Sequence, residues 1–186
     1  MRGRRLATSM VLAVLLCACP HPRPAPEPVA PPGPVEQALR AAASGAAIPP
    51  DFVVTYSDMH GMHGGMRVSL SADGTYSWQT YSQQAGSSQA EGRVPEVAVR
   101  DVIALLLQLR AWEQMTPPRQ PVPDESRAGL RIRAGGEEAT IWEWFNDMGA
   151  NNRLIQVSSR LAALRSHVPP SADAGPVPPA PPVPAP

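Results

Sequence analysis

The sequence lacks lysine, has few aromatic residues and has only two cysteines. Its balanced charge, the position of its cysteines and its short apolar run exclude several classes of protein. Its 16 basic residues are all arginine and are balanced by 16 acidic residues, so a nucleic-acid binder that relies on charge is excluded. Both cysteines, Cys17 and Cys19, lie near the N-terminus, which excludes a disulfide scaffold. The apolar run from Leu6 to Leu16 has 11 residues, whereas a membrane-spanning helix needs about 20. The composition also excludes a polytopic membrane protein.

Aromatic residues and prolines occupy different parts of the chain. All nine aromatic residues lie between Phe52 and Phe145, and 19 of the 24 prolines lie outside residues 51–168. A hydrophobic core requires large side chains such as those of the aromatic zone, whereas a proline-rich segment does not pack into a core. We therefore expect a small α+β domain that is flanked by proline-rich chain. The expected segments are a leader over 1–18, a Pro-rich linker with a short helical stretch (Val35 to Ala43) over 19–50, the domain over 51–168 and a disordered Pro-rich tail over 169–186.

The N-terminus is basic, then apolar, and then contains a short cysteine motif. Leu16-Cys17-Ala18-Cys19 places an aliphatic residue three positions before Cys19 and a small residue just before it. This stretch resembles the signal peptide and lipobox of bacterial lipoproteins. The resemblance implies a diacylglyceryl thioether on Cys19 and cleavage before it. The alternative is a plain secretion signal with two incidental cysteines.

Lipidation at Cys19 implies a location in the cell envelope. Several acyl chains anchor a protein firmly, whereas one chain is marginal. Pro20, rather than Asp, follows Cys19, and by the enterobacterial sorting rule this sends a lipoprotein to the outer membrane, where it faces the periplasm or the surface. Residues 20–34 contain eight prolines, a composition that favours a semi-rigid polyproline II stalk of roughly 45 Å. The expected partners are the membrane, through Cys19, and an unknown envelope protein, with no nucleic acid.

Alternation of apolar and polar residues predicts three strands in the first half of the domain. These strands contain Phe52, Val54 and Tyr56, then Val68 and Leu70, then Tyr76 and Trp78. Asp73-Gly74 joins the second strand to the third. A two-residue loop would place Leu70 opposite Ser77. A three-residue loop with Gly74 in the left-handed region pairs Leu70 with Tyr76 and is preferred, because it puts the large apolar groups on one face.

The second half of the domain predicts a helix, two strands and a last helix. Apolar residues recur at helical spacing after Pro95, namely Val99, Val102, Ile103, Leu106, Leu109 and Trp112. A proline-containing loop over 116–126 leads to a half-exposed strand that contains Leu130 and Ile132, and Gly135-Gly136 turns the chain into a strand over 139–145.

That last strand carries large groups on both sides, with Ile141 and Phe145 on one and Trp142 and Trp144 on the other. This arrangement indicates either a central strand or an exposed aromatic patch. Asn151 or Asn152 caps the last helix, with Leu154, Ile155, Leu161 and Leu164 turned inward. The predicted fold is α+β, with a single antiparallel sheet of about five strands and two helices packed on one face, in the order β-β-β-α-β-β-α.

Three features of residues 52–164 suggest a family. They are the glycine-containing first hairpin, the helix with Leu105-Leu106-Leu107 followed by Trp112, and Pro123-Asp124 before the arginine-rich strand. In these the domain resembles emfourin-type and related uncharacterised small α+β domains. Emfourin-type proteins inhibit thermolysin-like metallopeptidases, so the resemblance implies protease inhibition as one possible function.

Residues 59–66 concentrate possible metal ligands. Three thioethers and two imidazoles lie within eight residues, at Met59, His60, Met62, His63 and Met66. These groups suit Cu(I), and Asp58 would add an oxygen ligand. Glycines between them let a short loop turn its side chains inward. The alternative is an ordinary flexible loop with no cofactor.

No arrangement of residues in the sequence indicates catalysis, so the expected protein is not an enzyme. A nucleophilic triad needs a histidine positioned by a carboxylate, and adjacent acidic pairs such as Glu137-Glu138 point to different sides of an extended chain. Trp142 and Trp144 are the candidate binding patch, with core packing as the alternative. We therefore expect a non-enzymatic, lipid-anchored envelope protein that presents a binding domain on a stalk. Copper binding and protease inhibition are the alternatives.

Overall fold

One six-stranded antiparallel sheet organises the fold. The computed structural model describes residues 33–60, 64–120, 122–123 and 125–168. The strands are β1 (Val53–Ser57), β2 (Gly65–Ser71), β3 (Thr75–Ser82), β4 (Gly86–Arg93), β5 (Arg127–Ala134) and β6 (Glu137–Trp144). Their order across the sheet is β4-β3-β2-β1-β5-β6. The α+β class with a single antiparallel sheet is confirmed, but the sheet has six strands where about five were predicted.

In the described part of the chain, three α-helices pack on this sheet, where two were predicted. They are α1 (Pro34–Ala43), α2 (Glu96–Leu109) and α3 (Asn152–Ala163), and short 3-10 helices cover Ala111–Glu113, Phe145–Ala150 and Leu164–His167. The predicted order β-β-β-α-β-β-α is therefore corrected to α-β-β-β-β-α-β-β-α. Within the described ranges, none of the helices has the length and hydropathy needed to cross a membrane.

The core lies between the helices and one face of the sheet. Alternate residues of the strands point into it, as the period of two requires. The strands contribute Val54, Tyr56, Val68, Leu70, Tyr76, Ala90, Ala128, Leu130, Ile132, Ala134 and Ile141. The helices contribute Val35, Leu39, Ala42, Ala98, Val99, Val102, Ile103, Leu106, Leu154, Val157 and Leu161. All three helices thus share one core with the sheet.

The hairpin of β2 and β3 has the predicted register. Leu70 pairs with Tyr76 and Val68 pairs with Trp78. Gly74 adopts a φ of +81° in the turn, and its carbonyl oxygen accepts a hydrogen bond of 2.9 Å from the Val94 amide. A Cβ at Gly74 would lie 2.3 Å from the Val94 carbonyl oxygen, so this position requires glycine for two reasons.

The strand that the sequence analysis missed is β4. Its sequence is Gly-Ser-Ser-Gln-Ala-Glu-Gly-Arg, and Ala90 is its one fully buried residue. It pairs with β3 along its whole length, from Thr75 opposite Arg93 to Ser82 opposite Gly86. A strand with so little apolar surface shows no alternation, because it lies at the edge of the sheet and is stabilised by its ladder with β3.

Helix α1 forms at the predicted place, but it belongs to the packed domain. Val35, Leu39 and Ala42 are buried in the core, and the Arg100 guanidinium of α2 donates a hydrogen bond of 2.7 Å to the Ala42 carbonyl oxygen. The assignment of this helix to a linker, with the domain beginning at residue 51, is therefore corrected. The folded part of the described chain includes residues 34–50.

The other two helices correct two expectations and decide a third. Helix α2 ends at Leu109 rather than at Trp112, because Arg110 adopts the left-handed conformation with a φ of 47°. Asn151 is the residue that caps α3, since its side-chain oxygen accepts a hydrogen bond of 3.0 Å from the Leu154 amide. Ile155 was expected to point inward and is instead 37 % exposed.

Candidate functional site

The face of the sheet opposite the core is lined by polar side chains that reach solvent. Thr55 lies between two buried neighbours on β1, and Arg131 lies likewise between Leu130 and Ile132 on β5. We call this surface the open face and define it by the outward residues of the four neighbouring strands β2, β1, β5 and β6. They are Val53, Thr55, Ser57, Gly65, Arg67, Ser69, Ser71, Arg127, Gly129, Arg131, Arg133, Glu138, Thr140, Trp142 and Trp144.

The register of the four strands aligns these residues in rows across the sheet. In one row Ser57 pairs with Arg67 on one side and with Gly129 on the other, and Gly129 pairs with Trp142. The neighbouring row contains Ser69, Thr55, Arg131 and Thr140 in the same strand order. Because Gly129 has no side chain, the surface of the sheet is recessed at that point of the first row.

A groove of about 400 Å³ occupies this low part of the open face. The residues that line it come from β1, β2, β5 and β6, and they are Thr55, Ser57, Arg67, Gly129, Leu130, Arg131 and Thr140. Three of them carry hydroxyl groups and two carry guanidinium groups. The volume lies within the range of small-molecule binding sites, which is roughly 300–1,000 Å³.

The charge of the open face is positive. Four arginines lie on it (Arg67, Arg127, Arg131 and Arg133), against the single acidic residue Glu138. Glu138 is 3.3 Å from the Nε of Arg131 and 3.9 Å from the Nε of Arg133. Arg67 forms no ion pair with any residue in the described part of the chain. The face therefore differs in sign from residues 51–168, which carry 11 arginines and 13 acidic residues.

Trp142 and Trp144, the predicted binding patch, lie beside the groove as an edge-to-face pair. Their ring centroids are 5.2 Å apart at an interplanar angle of 90°. The Arg127 guanidinium lies 4.2 Å from the Trp142 centroid and 4.6 Å from that of Trp144. Such guanidinium–ring contacts are worth about 0.5–2 kcal/mol. Trp144 is only 7 % exposed, whereas Trp142 is half-buried.

The strand that carries the tryptophans is an edge strand, so its interpretation as a central strand is wrong. Its large groups on both sides have two separate causes. Ile141 faces the helices and is buried in the core, while the two tryptophans pack with Arg127 on the other side. Phe145 lies beyond the end of the strand and is 40 % exposed.

A proline-containing loop before β5 holds the tryptophan pair in place. The Arg119 guanidinium lies 4.7 Å from the Trp144 centroid, and it donates hydrogen bonds of 2.6 Å to Glu125 and to Asp147. The hydrogen bond from Arg119 holds the pKa of the Glu125 carboxyl below its usual value, so the pair stays charged at neutral pH. The Thr116 hydroxyl also donates to the Trp142 carbonyl oxygen. These bonds fix one wall of the open face.

The predicted metal ligands lie on the hairpin between β1 and β2. Met59, His60 and Met66 are described, whereas Met62 and His63 lie outside the described residues. The His60 amide donates to the Gly64 carbonyl oxygen at 2.7 Å, and the Gly64 amide donates back at 2.9 Å. The strand pairing thus extends as far as a bridge between His60 and Gly64. Copper binding here stays a prediction.

Two of the residues in that hairpin already have structural roles. Met66 packs against the core as a half-buried side chain. The Asp58 carboxylate accepts hydrogen bonds from the Met66 amide (2.5 Å) and from the Tyr56 hydroxyl (3.0 Å). Burial, together with this carboxylate, raises the pKa of Tyr56 above its usual value, so the hydroxyl remains a donor. Among the described residues, no three His, Cys, Asp or Glu side chains converge on a common point.

Comparison with known proteins adds no family to this description. No protein-family model matches the chain, and no curated protein sequence matches it. The resemblance to emfourin-type domains and the lipobox at Cys19, which lies outside the described residues, therefore stay predictions.

The tryptophans of this site were predicted from the sequence, whereas the grouping of the arginines and the groove were not. Arg67 is remote in sequence from Arg131, and the two line the same groove only because β1 lies between β2 and β5. One signal was present in β5, where Arg127, Arg131 and Arg133 alternate with buried residues and Gly129 takes the remaining outward position. That pattern predicts a positive face with a gap at its centre.

Proposed function

We propose that this protein is a non-enzymatic, lipid-anchored envelope protein whose small α+β domain binds a ligand on its open face. The observation that carries the proposal is the groove at Gly129, flanked by hydroxyl and guanidinium groups, on the side of the sheet away from the helices. Ligand sites are concave and contain a few convergent polar groups. The rigid wall of Trp142 and Trp144 beside the groove adds preorganised surface to it.

The lipid anchor at Cys19 and a stalk complete the proposed arrangement. Because α1 begins at Pro34, the segment between the lipid and the domain spans residues 20–33. A polyproline II segment of this length reaches roughly 43 Å at about 3.1 Å per residue. Such a stalk holds the domain clear of the membrane surface, so that a groove on the sheet remains accessible to an envelope component.

We expect a Cys19→Ser variant to lose its membrane attachment, because the acyl chains have no thiol to join. Metabolic labelling with radioactive palmitate and fractionation of the cells that produce the protein measure this directly. Cys17→Ser is the matched control and is expected to keep both the label and the membrane fraction. Label that persists in Cys19→Ser, or that disappears equally in both variants, contradicts the assignment of Cys19.

The binding face is tested by photocrosslinking in the same cells. A benzophenone side chain is placed either at Thr140 on the open face or at Val97, which is 63 % exposed on α2. We expect an ultraviolet-dependent adduct from Thr140 and none from Val97. The adduct is expected to disappear when Gly129→Phe fills the groove, a change that the backbone accommodates because the nearest atom to a Cβ there is the Ile141 carbonyl oxygen at 3.8 Å. Equal crosslinking from both sites, or none from Thr140, refutes the proposal.

A further inference from the structure

We propose that the groove on the open face binds an acidic saccharide, with its carboxylate held by Arg67 and Arg131. This inference rests on the proposed function, since it names the ligand class of the same face. It is carried by three features: the two arginines that line the groove, the three hydroxyl groups that line it, and the space at Gly129, which pairs with Trp142 on the neighbouring strand. Each feature selects for a different part of such a ligand.

The positive charge selects for a carboxylate. Arg67 and Arg131 line the same groove, and only Arg131 has an acidic neighbour, Glu138, within the described residues. Guanidinium groups bind carboxylates through paired, charge-assisted hydrogen bonds that are about twice as strong as neutral ones. Arg67 lacks such a partner in the described part of the chain, so an anionic ligand supplies the missing one.

The hydroxyl groups select for a ligand that both donates and accepts hydrogen bonds. Thr55, Ser57 and Thr140 line the groove. The Thr55 hydroxyl donates to Ser69 at 3.5 Å and the Thr140 hydroxyl donates to Glu138 at 3.4 Å, so these two offer a ligand their acceptor positions, whereas Ser57 offers a donor as well. The hydroxyl groups of a sugar ring have the same dual capacity and are spaced closely enough to meet several partners at once.

The low centre beside Trp142 suits a sugar ring. Gly129 leaves space between Ser57 on one side and Trp142 on the other. Trp142 is half-buried, and Arg127 and Trp144 hold its indole in position. An indole presents an apolar body together with a polar N–H, which suits a sugar ring that has both C–H surfaces and hydroxyl groups.

An extended peptide suits the groove less well. Peptides that bind sheets add a strand to a free edge and place alternate side chains in pockets. The groove lies instead over β1 and β5, which already pair with strands on both sides, so their backbone groups are used. Five of its seven lining residues carry a hydroxyl or a guanidinium group.

The test is a titration of the mature lipidated chain in detergent micelles. The NMR signal of the Trp142 indole N–H is measured at each ligand concentration. Two matched pairs of sugars serve as probes: galacturonic acid with galactose, and N-acetylmuramic acid with N-acetylglucosamine. We expect at least one acid to shift the signal with saturation, and its neutral counterpart to bind at least tenfold more weakly. Arg67→Gln is expected to weaken the binding of that acid at least tenfold, whereas Arg153→Gln on α3 leaves it unchanged.

Three outcomes overturn the inference. The first is that neither acid shifts the Trp142 signal at concentrations up to about 10 millimolar, a range that covers even weak, millimolar dissociation constants. The second is that each acid binds no better than its neutral counterpart, or is weakened equally by Arg67→Gln and Arg153→Gln. The third is that triglutamate binds and the sugars do not, which assigns the groove to an acidic peptide. If any of these occurs while crosslinking from Thr140 persists, the ligand class is wrong and the binding face stands. Absence of that crosslink refutes the proposed function itself.

Discussion

A Gly74→Ala variant is expected to lose about 2–5 kcal/mol of its free energy of unfolding. Two costs combine at this position. The left-handed backbone, with a φ of +81°, disfavours any residue with a Cβ by about 1–2 kcal/mol. The added methyl group would also lie 2.3 Å from the Val94 carbonyl oxygen. Because that oxygen belongs to the backbone, the contact is relieved only by moving the chain between β4 and α2.

Gly86→Ala separates these two costs, since Gly86 has a φ of +71° and no atom within 4 Å of the position of an added Cβ. Its expected loss is the conformational part alone, about 1–2 kcal/mol. Urea unfolding of both variants, followed by far-ultraviolet circular dichroism, measures the difference. Equal losses in the two variants would show that the close approach of Gly74 to Val94 does not contribute.

A Leu39→Ala variant is expected to lose about 2–5 kcal/mol of the free energy of unfolding. The Leu39 side chain is fully buried in the core, so truncating it removes apolar contacts with the sheet and leaves a cavity. The same equilibrium unfolding experiment measures the effect. The expected size is that of a central core residue, although the sequence alone places Leu39 in a linker.

Val97→Ala is the matched control for Leu39, because it shortens a helical apolar side chain that is 63 % exposed. We expect its effect to stay within about 0.5 kcal/mol of zero. If Leu39→Ala were equally neutral, helix α1 would not be part of the cooperative unit, and the folded domain would begin near residue 51 after all.

Much of the sheet could be predicted because its central strands have one buried and one solvated face. The alternation around Val68 and Leu70 gives the strand, and Gly74 selects the loop length that keeps Leu70 opposite Tyr76. The helical spacing of Val99, Val102 and Leu106 gives α2. In each of these elements the local pattern and the tertiary environment favour the same structure.

Strand β4 and the packing of helix α1 escaped prediction because the local pattern and the tertiary environment diverge there. Strand β4 is specified by hydrogen bonds to β3 rather than by its own side chains. Helix α1 was recognised as a helix, but the prolines around it indicated a linker. Its burial depends on contacts with α2 and β5, which lie more than 50 residues further along the chain.

The aromatic part of the candidate site was predicted from the sequence, and the arginines of β5 gave a further signal, but the groove as a whole could not be predicted. Trp142 and Trp144 are easily recognised in the sequence, because the chain has only four tryptophans and these two are separated by a single residue. The grouping of Arg67 with Arg131 depends on the strand order, in which a segment near residue 130 pairs with β1. Composition does not reveal a local positive surface when the whole chain has equal numbers of acidic and basic residues.

The edges of the sheet have a consequence for self-association. An edge strand exposes unpaired amide and carbonyl groups, and a strand of another molecule can pair with them through hydrogen bonds. At one edge β4 carries mainly small polar residues together with Glu91 and Arg93, and these offer a second copy little apolar surface. At the other edge the Thr116 hydroxyl occupies the Trp142 carbonyl oxygen, and the prolines Pro117 and Pro118 that follow it have no amide hydrogen to donate. The small, polar composition of β4, which gives no strand pattern in the sequence, thus also protects this edge of the sheet from pairing with a second copy.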